Sequence, residues 1–501
     1  RVKARFVGCG YSQIADLDYD KCYASTLPGM CFRLWCSIVA DERLITDSID
    51  AVKAFTQADV DRELFVEQPI GFVVPGYCLQ LLKALEGIRQ GAYLWFQKNK
   101  WAWNKCGMFA DLVEPNLYTH ETLTIVAAVF ADDVGAAFSH DARAAYLLIR
   151  EAYGKLINID SPGPETIVPV TKFTGVNVKV DNNAGTVAIS MESYLAKLRD
   201  RHKDVPIVDF PTAKSKVKRM EWDNMTAGDP STAVDKQEFM ETLGEIAWPI
   251  TMVWVELAVY ASRLGSFVAS PQREHQDGIY LLMGYMFSDP SKPIIYGGPL
   301  KIPLGLDAMP DFFIESKGLF GASDSSWGTR ARPQGGHVVM RTNAAIQWSS
   351  KSLKIVADSS AHAETAESSR CVKTLTFSKM VLSGAKRPTV GPSTVLGDNS
   401  AMHDMVVKEG SSSKSRHFER STIFVKYMVM RMMVVCKLVS TVHMIADIFT
   451  KATDVDTFTR MRDSMRNIAE PVLRVGLPYT FARWAMSMFH LSVWRAGATS
   501  E

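Results

Sequence analysis

Apolar runs that lead into acidic residues recur along this chain. Residues 125–130 form an uninterrupted apolar run that stops one residue before Asp132 and Asp133. A shorter β-like run over residues 44–49 leads directly into Asp50. Runs of this length are typical of buried strands, since helices usually need a longer pattern. The chain is therefore predicted to contain strands that carry carboxylates at their ends.

Three further segments have patterns typical of helices and hairpins. Residues 95–103 carry aromatic residues and lysines at helical spacing, which predicts a helix. Residues 171–190 predict a β-hairpin, because turn-forming residues occupy positions 181–185 at its centre. Residues 239–287 predict two helices separated by a Ser-Pro break at positions 270–271. Helices and strands are thus mixed along the chain, and the fold class is α/β or α+β.

The length of 501 residues is too great for one core of ordinary size. The stretch 297–310 is rich in glycine and proline and predicts a linker. After it, residues 318–467 alternate between strand-like and helix-like segments. We therefore expect a second α/β domain in the last part of the chain.

Composition changes this picture little. The hydrophobic share is 47% and the charged share 22%, which is ordinary for a globular protein. The formal net charge of +2 does not by itself indicate a nucleic-acid binder, although binding depends on where the charges lie. Lysines and arginines cluster between Lys197 and Arg219. That cluster fits a surface that follows a phosphate backbone and, equally well, a solvated helix face.

Eight cysteines are scattered without a C-x-x-C pair or other zinc-like spacing. With no signal peptide in front of them, they are expected to be reduced thiols in an intracellular compartment. No apolar run approaches the roughly 18 residues that a membrane span requires. The chain begins with Arg1 in the middle of a pattern, so we expect it to be a fragment of a longer protein.

The first carboxylate set comprises Asp50, Asp132 and Asp133. Nucleotidyl transfer uses two divalent cations held by carboxylates, and Mg²⁺ needs only one or two of these in addition to waters and phosphate oxygens. Acids at the ends of adjacent strands are the sparse pattern that this chemistry requires. An Asp-Asp pair taken alone, however, favours a solvated turn with capping acids.

The second carboxylate set comprises Asp324, Glu364, Asp398 and Asp447. Glu364 follows Ser359 and Ser360, either of which could cap a helix that carries the glutamate. Hydrolysis of a nucleic-acid strand can use the same two-metal chemistry, with an activated water as nucleophile. Each of these acids alone is more often a surface residue or a cap, and the same holds for Asp358 and Glu367.

Sequence blocks around the first set resemble the reverse transcriptases of copia-type LTR retrotransposons. The blocks occur in the family's order and at plausible spacing. They are K-A-R-F-V at 3–7, G-Y-S-Q at 10–13, D-Y-D at 18–20, D-A-V-K-A-F at 50–55, E-Q-P-I-G-F at 67–72, L-E-G-I-R-Q at 85–90, F-A-D-D at 130–133 and F-T-G at 173–175. In this chain Phe130 and Ala131 stand where the family has Tyr and Val.

The resemblance implies roles for individual residues. Asp50, Asp132 and Asp133 would form the catalytic set, with Asp50 and Asp132 as the main metal ligands. Four residues would bind the incoming dNTP, with Phe55 as the gate that excludes a ribose 2′-OH: Lys3, Arg5, Phe55 and Gln90. Phe173 and Gly175 would lie near the primer terminus. Lys3 and Arg5 also fit a solvated strand, and Phe55 also fits a plain core residue.

Blocks around the second set resemble the RNase H domain that follows these reverse transcriptases. They are S-D-S-S-W at 323–327, S-S-A-H-A-E at 359–364, D-N-S-A at 398–401 and A-D-I-F-T-K at 446–451. Asp324, Glu364, Asp398 and Asp447 would be both its catalytic acids and its metal ligands. Between the two sites, L-G at 243–244, S-R-L at 262–264 and E-H at 274–275 are similar to the family's connecting region.

The resemblance further implies an architecture. A right-hand polymerase of fingers, palm and thumb would be followed by an RNase H-like mixed sheet. Residues 1–200 would form the fingers and palm without their N-terminal part, 201–315 the thumb, connection and linker, and 316–466 the RNase H-like domain. The tail 467–501 has no assignment.

The implied activity is RNA-directed DNA polymerisation together with degradation of RNA in an RNA–DNA hybrid. Each site would use two ions of Mg²⁺ or Mn²⁺. The partners would be an RNA template, a DNA primer, the hybrid, dNTPs, a priming tRNA and other Pol products such as integrase, with no membrane. The expected location is a cytoplasmic virus-like particle, with nuclear entry left open.

A second hypothesis is that the chain is a domesticated or decayed remnant that binds nucleic acid without catalysis. The changes at Phe130 and Ala131 fit this hypothesis. The acids speak against it, because a relic has no physical reason to keep an acid at all seven positions.

Overall fold

The computed structural model describes residues 6–160, 163, 165–210, 222–223, 225–226, 228–298, 318–328, 332–407 and 419–468. Several predicted features lie outside the described residues. They are Lys3, Arg5, the basic residues from Lys214 to Arg219, positions 299–310 of the linker, and the tail from 469 onward.

Helices and strands alternate in the first 201 residues. The helices are α1 (Gly29–Asp41), α2 (Gly91–Lys105), α3 (Arg143–Leu156) and α4 (Glu192–Arg201). The strands are β1 (Ile45–Ala51), β2 (Phe65–Val66), β3 (Leu79–Gln80), β4 (Met108–Ala110), β5 (Leu117–His120), β6 (Ile125–Phe130), β7 (Asp133–Phe138), β8 (Ile159–Asp160), β9 (Lys172–Phe173), β10 (Val176–Asp181) and β11 (Thr186–Ser190). The predicted strand at 125–130 and the predicted helix at 95–103 are confirmed as β6 and part of α2.

A six-stranded sheet forms the centre of this half within the described residues, in the order β4-β5-β6-β7-β1-β8. Neighbouring strands are antiparallel throughout. Alternate residues of β6 enter different cores: Val126 and Ala128 pack with α1, while Ile125, Ala127 and Val129 pack with residues of α2 and α3. Because both faces of the sheet are covered, β6 is apolar at every position rather than at every second one.

The predicted hairpin at 171–190 is confirmed. β10 and β11 pair in register from Asn177–Ser190 to Asp181–Thr186, and the turn lies at the Asp-Asn-Asn-Ala-Gly sequence. The Asp181 Oδ1 atom accepts the Ala184 N–H at 2.9 Å, which stabilises the turn. β9 and β12 (Ile294–Gly297) complete the sheet, so a strand from beyond residue 290 joins this hairpin.

The middle of the chain is helical, but the prediction of two helices over 239–287 was wrong by one. The structure contains α5 (Lys236–Met252), α6 (Ala258–Gly265) and α7 (Arg273–Ser288). The break at 270–271 is confirmed, and an additional break separates α5 from α6. Pro249 lies inside α5 and lacks an N–H, and the N–H groups of Val253 and Trp254 both donate to its carbonyl as the helix ends. The residues at this break are buried, and all except Glu256 are apolar, so no glycine, proline or other turn residue marks the break in the sequence.

The last part of the chain is a mixed sheet with helices against it. Its strands are β13 (Phe320–Ser326), β14 (Gln334–Arg341), β15 (Ala344–Ser352), β16 (Ser393–Gly397) and β17 (Val434–Leu438). Its helices are α8 (Ser360–Gly384), α9 (Ser400–Val407), α10 (Glu419–Met430) and α11 (Val455–Arg466). The strand order is β15-β14-β13-β16-β17. β13–β14 and β14–β15 are antiparallel, whereas β13–β16 and β16–β17 are parallel.

The sheets of the first part of the chain and the five-stranded sheet of the last part share one continuous buried core, and α1 packs between them. The Arg33 guanidinium on α1 donates to the Ile346 carbonyl of β15 at 2.7 Å and to the Thr251 carbonyl of α5 at 2.8 Å. At the end of α1, Asp41 pairs with Arg341 at 2.9 Å and Glu42 pairs with Arg387 at 2.7 Å. Within the described ranges, no helix is both long and apolar enough to cross a membrane.

Candidate active sites

The first carboxylate set lies at one end of the six-stranded sheet. β6 and β7 are joined by a two-residue turn, in which Ala131 has the positive φ of 53° that tight hairpin turns require. In the adjacent pairing, Asp50 of β1 lies opposite Asp133 of β7. The Ala51 N–H donates to the Asp132 carbonyl at 3.3 Å, which ties the turn to β1. The structure thus places all three predicted acids at the same end of the sheet.

The electrostatics of this set are those of crowded, partly hydrated carboxylates. Partial burial and the charge of Asp132 raise the pKa of Asp50, and Asp160 opposite it on β8 adds to the effect. Partial burial also raises the pKa of Asp133, against the Thr174 N–H that donates to its Oδ2 atom at 3.2 Å. Sequence reasoning missed Asp160, because the pairing of β8 with β1 has no local signal. Within the described residues, the carboxylate oxygens of Asp50, Asp132 and Asp133 do not all lie within 4.8 Å of one another.

Trp95 holds the turn that carries Asp132. Its indole N–H donates to the Ala131 carbonyl at 2.9 Å, and the ring is 2% exposed. We expect Trp95→Phe to lower the free energy of unfolding by about 1–2 kcal/mol, since a buried hydrogen bond is lost. The same change should impair any chemistry at Asp132 and spare chemistry at the second set. Urea unfolding and separate assays of the two sites check this; equal losses at both sites would contradict it.

The predicted nucleotide- and primer-binding residues occupy varied environments. Phe55 is half-buried at the edge of the core formed with α2 and α3. Gln90 is fully buried, and its amide is hydrogen-bonded to the Gln13 side chain at 3.1 Å and to the Asp18 carbonyl at 2.8 Å. A direct contact between Gln90 and a nucleotide would require those bonds to break. Phe173 is buried and stacks on Phe32 at 4.9 Å, whereas a Cβ at Gly175, where φ is +84°, would meet no atom within 4 Å.

The second carboxylate set lies at the end of β13 and its parallel neighbour β16. Phe320 pairs with Thr394 and Ala322 with Leu396, so Asp324 and Asp398 follow two residues later at the same edge. Glu364 enters from the first turns of α8, which is capped by Ser359 as predicted. Asp447 lies in the short 3₁₀ helix Ile445–Phe449. Four acids from four separate segments thus converge.

The carboxylate oxygens of these acids are arranged so that they could bind a cation. Among the described residues, Asp324, Asp398 and Asp447 are the group whose carboxylate oxygens lie within 4.8 Å of one another. Glu364 Oε1 accepts the Ser325 N–H at 3.1 Å, but its Oε2 atom and the Oδ1 atom of Asp447 are buried without a partner. Buried, unpartnered carboxylate oxygens are costly unless a cation or proton satisfies them. An all-oxygen donor set of this kind fits Mg²⁺ or Mn²⁺.

Burial and mutual repulsion govern the charge of this set. Burial first, and then the charge of Asp324, raise the pKa values of Glu364, Asp398 and Asp447. Thr450 Oγ1 donates to Asp324 at 2.5 Å, Thr441 Oγ1 donates to Asp398 at 2.9 Å, and Lys451 Nζ pairs with Asp447 at 2.8 Å. These three residues were not assigned from the sequence. Thr450 and Lys451 were nevertheless inside the A-D-I-F-T-K block, which carried the signal.

A pH dependence follows from Glu364. Because its pKa is higher in the folded than in the unfolded chain, it contributes stability at low pH that is lost as pH rises from its ordinary value near 4.5. With a metal chelator present, the Tm of Glu364→Gln should therefore decrease less between pH 6 and pH 8 than the Tm of the wild type. Its free energy of unfolding at pH 8 should be higher by about 1–2 kcal/mol. Thermal unfolding of both proteins across this range is the measurement. Parallel curves for the variant and the wild type would refute this view of the site.

The expectation that Glu367 is a surface residue or cap was wrong. It is fully buried one turn after Glu364, where it pairs with His337 at 2.6 Å and with Arg370 at 2.5 Å. The cause is Gly335 of β14, whose missing side chain leaves room for the Glu367 carboxylate. Asp358 is exposed and hydrogen-bonded to His362, as a capping acid would be.

Comparison with known proteins finds a family match for the first part of the chain. Residues 1–203 match the model described as reverse transcriptase (RNA-dependent DNA polymerase). The chain is 22% identical over 372 residues to a retrovirus-related Pol polyprotein from transposon TNT 1-94 of Nicotiana tabacum, covering 73% of this chain and 26% of the relative. It is 22% identical over 459 residues to the Pol polyprotein from transposon RE2 of Arabidopsis thaliana, covering 90% and 30%.

A shorter relative is covered almost completely. A transposon Ty5-1 protein of Saccharomyces cerevisiae is 23% identical over 315 residues, which covers 61% of this chain and 93% of the relative. The chain thus spans between a quarter and a third of the two Pol polyproteins named above.

Proposed function

We propose that the chain copies RNA into DNA and degrades RNA in the resulting hybrid, from the premise that residues 1–203 match the reverse transcriptase family. The relatives are Pol polyproteins of transposons, as the resemblance to copia-type elements implied. The observation that carries the proposal is that two separate carboxylate sets lie at the ends of two different sheets, and that Asp324, Asp398 and Asp447 of the second set converge within 4.8 Å.

In the first site, Asp50 and Asp132 are the proposed metal ligands and Asp133 the third acid of the catalytic set. The Asp133 carboxylate accepts a hydrogen bond from the Thr174 N–H. It would therefore hold the start of β7 against the segment before β10. Phe55 is the proposed gate against ribonucleotides, and its half-buried ring lies in the short 3₁₀ helix Ala54–Gln57 that follows β1. Lys3, Arg5 and Gln90 as dNTP-binding residues, and Phe173 and Gly175 near the primer terminus, remain part of the proposal.

In the second site, Asp324, Glu364, Asp398 and Asp447 are the proposed metal ligands and catalytic acids of an RNase H. The order β15-β14-β13-β16-β17, with three antiparallel strands followed by two parallel ones, supports this assignment. Thr450, Thr441 and Lys451 orient three of the acids through the bonds described above. Two ions of Mg²⁺ or Mn²⁺ at each site would activate the attacking oxygen and stabilise the leaving group.

The proposed architecture keeps the boundaries expected from the sequence. Residues 1–200 would provide the fingers and palm, residues 201–315 the thumb and connection, and residues 316–466 the RNase H-like domain. β12 supports a close join between the first two, since it pairs with β11. The continuous core around α1 supports a close join between the first and the third.

The proposed partners follow from the activity. They are an RNA template, a DNA primer, the RNA–DNA hybrid, dNTPs and a priming tRNA. Other Pol products such as integrase are proposed as protein partners, because the relatives are polyproteins. A cytoplasmic virus-like particle, with entry into the nucleus, is the proposed location.

The competing proposal is a remnant that binds nucleic acid without catalysis. It predicts that neither site responds to divalent cations. Purified chain, oligo(dT) primer, poly(rA) template and dTTP in Mg²⁺ or Mn²⁺ distinguish the two. Extension that is abolished by EDTA and restored by excess metal supports the polymerase, whereas binding of the primer–template without extension supports the remnant.

A further inference from the structure

The segment Thr450 to Ala452 of the second site is hydrogen-bonded to residues from the middle of the chain. The Arg263 guanidinium on α6 donates to the Thr450 carbonyl at 3.2 Å. The Ala452 N–H donates to Asp223 Oδ1 at 3.1 Å. Arg263 and Asp223 are themselves paired at 2.7 Å, so the two contacts form one clamp around Lys451.

Two residues of this segment, Thr450 and Lys451, also contact the carboxylates. Thr450 Oγ1 donates to Asp324 Oδ2 at 2.5 Å, and Lys451 Nζ lies 2.8 Å from Asp447 Oδ2. Backbone atoms of the segment are therefore held from one side, while its side chains orient two of the acids on the other. A shift of this backbone would move both contacts to the acids together.

The clamp is buried at Arg263 and Thr450 and partly exposed at Asp223. Arg263 is 3% exposed and Thr450 is fully buried. The guanidinium also donates to the carbonyls of Trp222 at 3.2 Å and Asp223 at 3.1 Å. A planar guanidinium with fixed acceptors on several sides has one orientation. Trp222, which packs edge-on against Tyr260 of α6 at 4.9 Å, anchors the Asp223 end.

We propose that Arg263 and Asp223 are positioning residues for the second carboxylate set. They lie outside the RNase H-like domain and determine how tightly these carboxylates bind divalent cations. The inference rests on the proposed metal site and explains the S-R-L block at 262–264, to which the proposed chemistry gives no role. Groups that orient metal-ligand side chains commonly change metal affinity about 10–100-fold when they are removed. The middle segment would thus be part of the nuclease site rather than only a spacer.

The test measures Mn²⁺ binding directly. Thermal unfolding is followed as Mn²⁺ is titrated, in an Asp132→Asn background that weakens binding at the first set. Arg263→Gln and Thr450→Val are expected to raise the half-saturating Mn²⁺ concentration about tenfold or more. Thr450→Ser keeps the hydroxyl and should restore the parent value. Hybrid cleavage should show the same shift in metal dependence, with an unchanged KM for hybrid.

Arg462→Gln is the matched control. Arg462 is a mostly buried guanidinium on α11 that reaches the Tyr285 hydroxyl of α7 at 3.1 Å, so it crosses the same boundary away from the clamp. Its replacement should lower Tm and leave the Mn²⁺ half-saturation unchanged. Asp223→Asn, which keeps the size and an acceptor for Ala452, replaces Arg263→Gln if that variant does not fold, and its expected shift is about threefold.

The outcomes separate the inference from the function on which it rests. A folded Arg263→Gln or Asp223→Asn protein with the parent half-saturation overturns the positioning role, as does an equal shift in Arg462→Gln. If the parent binds Mn²⁺ in a manner that Asp398→Asn removes but does not cleave hybrid, the proposed activity fails while the positioning role is still decided by the half-saturation values. If Mn²⁺ has no Asp398-dependent effect on the parent, the metal site and the positioning role both fall.

Discussion

Asp132→Asn is expected to abolish primer extension on an RNA template while hybrid cleavage stays within about twofold of wild type. Asp132 is an exposed acid on the turn between β6 and β7, beside Asp50, and the proposed cations of the first site depend on it. Loss of a ligand carboxylate should remove about 4 kcal/mol or more of transition-state stabilisation, which is a rate loss of roughly 10³-fold. Extension of a labelled DNA primer at saturating dNTP measures the effect.

The control for Asp132→Asn is Asp181→Asn. Asp181 is also an exposed acid beside a turn, at the end of β10, and an asparagine can still accept the Ala184 N–H. Asp181→Asn should therefore extend primers at the wild-type rate. Equal extension by Asp132→Asn and the wild type would remove Asp132 from the catalytic set.

Asp398→Asn is expected to have the reciprocal effect. Asp398 is half-buried, lies within 4.8 Å of Asp324 and Asp447, and can keep the hydrogen bond from Thr441 as an asparagine. The fold should thus survive while the charge that attracts the cations is reduced. Cleavage of a labelled RNA–DNA hybrid should fall by roughly 10³-fold, and primer extension should remain largely intact.

Asp404→Asn provides the comparison for the second site. Asp404 is an exposed acid on α9, six positions after Asp398, and its replacement changes the net charge by the same amount. Cleavage by Asp404→Asn should match the wild type. Cleavage by Asp398→Asn at the wild-type rate would refute the assignment of the second carboxylate set.

Local patterns in the sequence predicted the parts of the fold that local forces determine. The apolar run at 125–130 indicated a buried strand, and the structure shows why it is continuous: both faces of β6 are covered. The turn sequence at 181–185 predicted the β10–β11 hairpin, and the Ser-Pro pair predicted the helix break at 270–271. In each case a few neighbouring residues determine the outcome.

Long-range pairings could not be predicted in this way. Arg263 and Thr450 are 187 positions apart, and nothing in either neighbourhood indicates that they meet. Glu367 looked like a surface acid because its cavity is created by Gly335 on another strand. Phe173 was expected near a primer, and only the packing of α1 against the sheet reveals that its ring is buried against Phe32. Charged groups enter such sites when distant partners satisfy them.

The sharpest test of two separate metal-dependent sites is one reaction with two labels. A DNA primer and an RNA template, each with its own dye, are incubated with the wild-type chain, dNTPs and Mg²⁺ or Mn²⁺, and the same is done with Asp132→Asn and Asp398→Asn. We expect extension and cleavage by the wild type, cleavage alone by Asp132→Asn and extension alone by Asp398→Asn. Loss of both activities in either variant, or neither activity in the wild type, would contradict it.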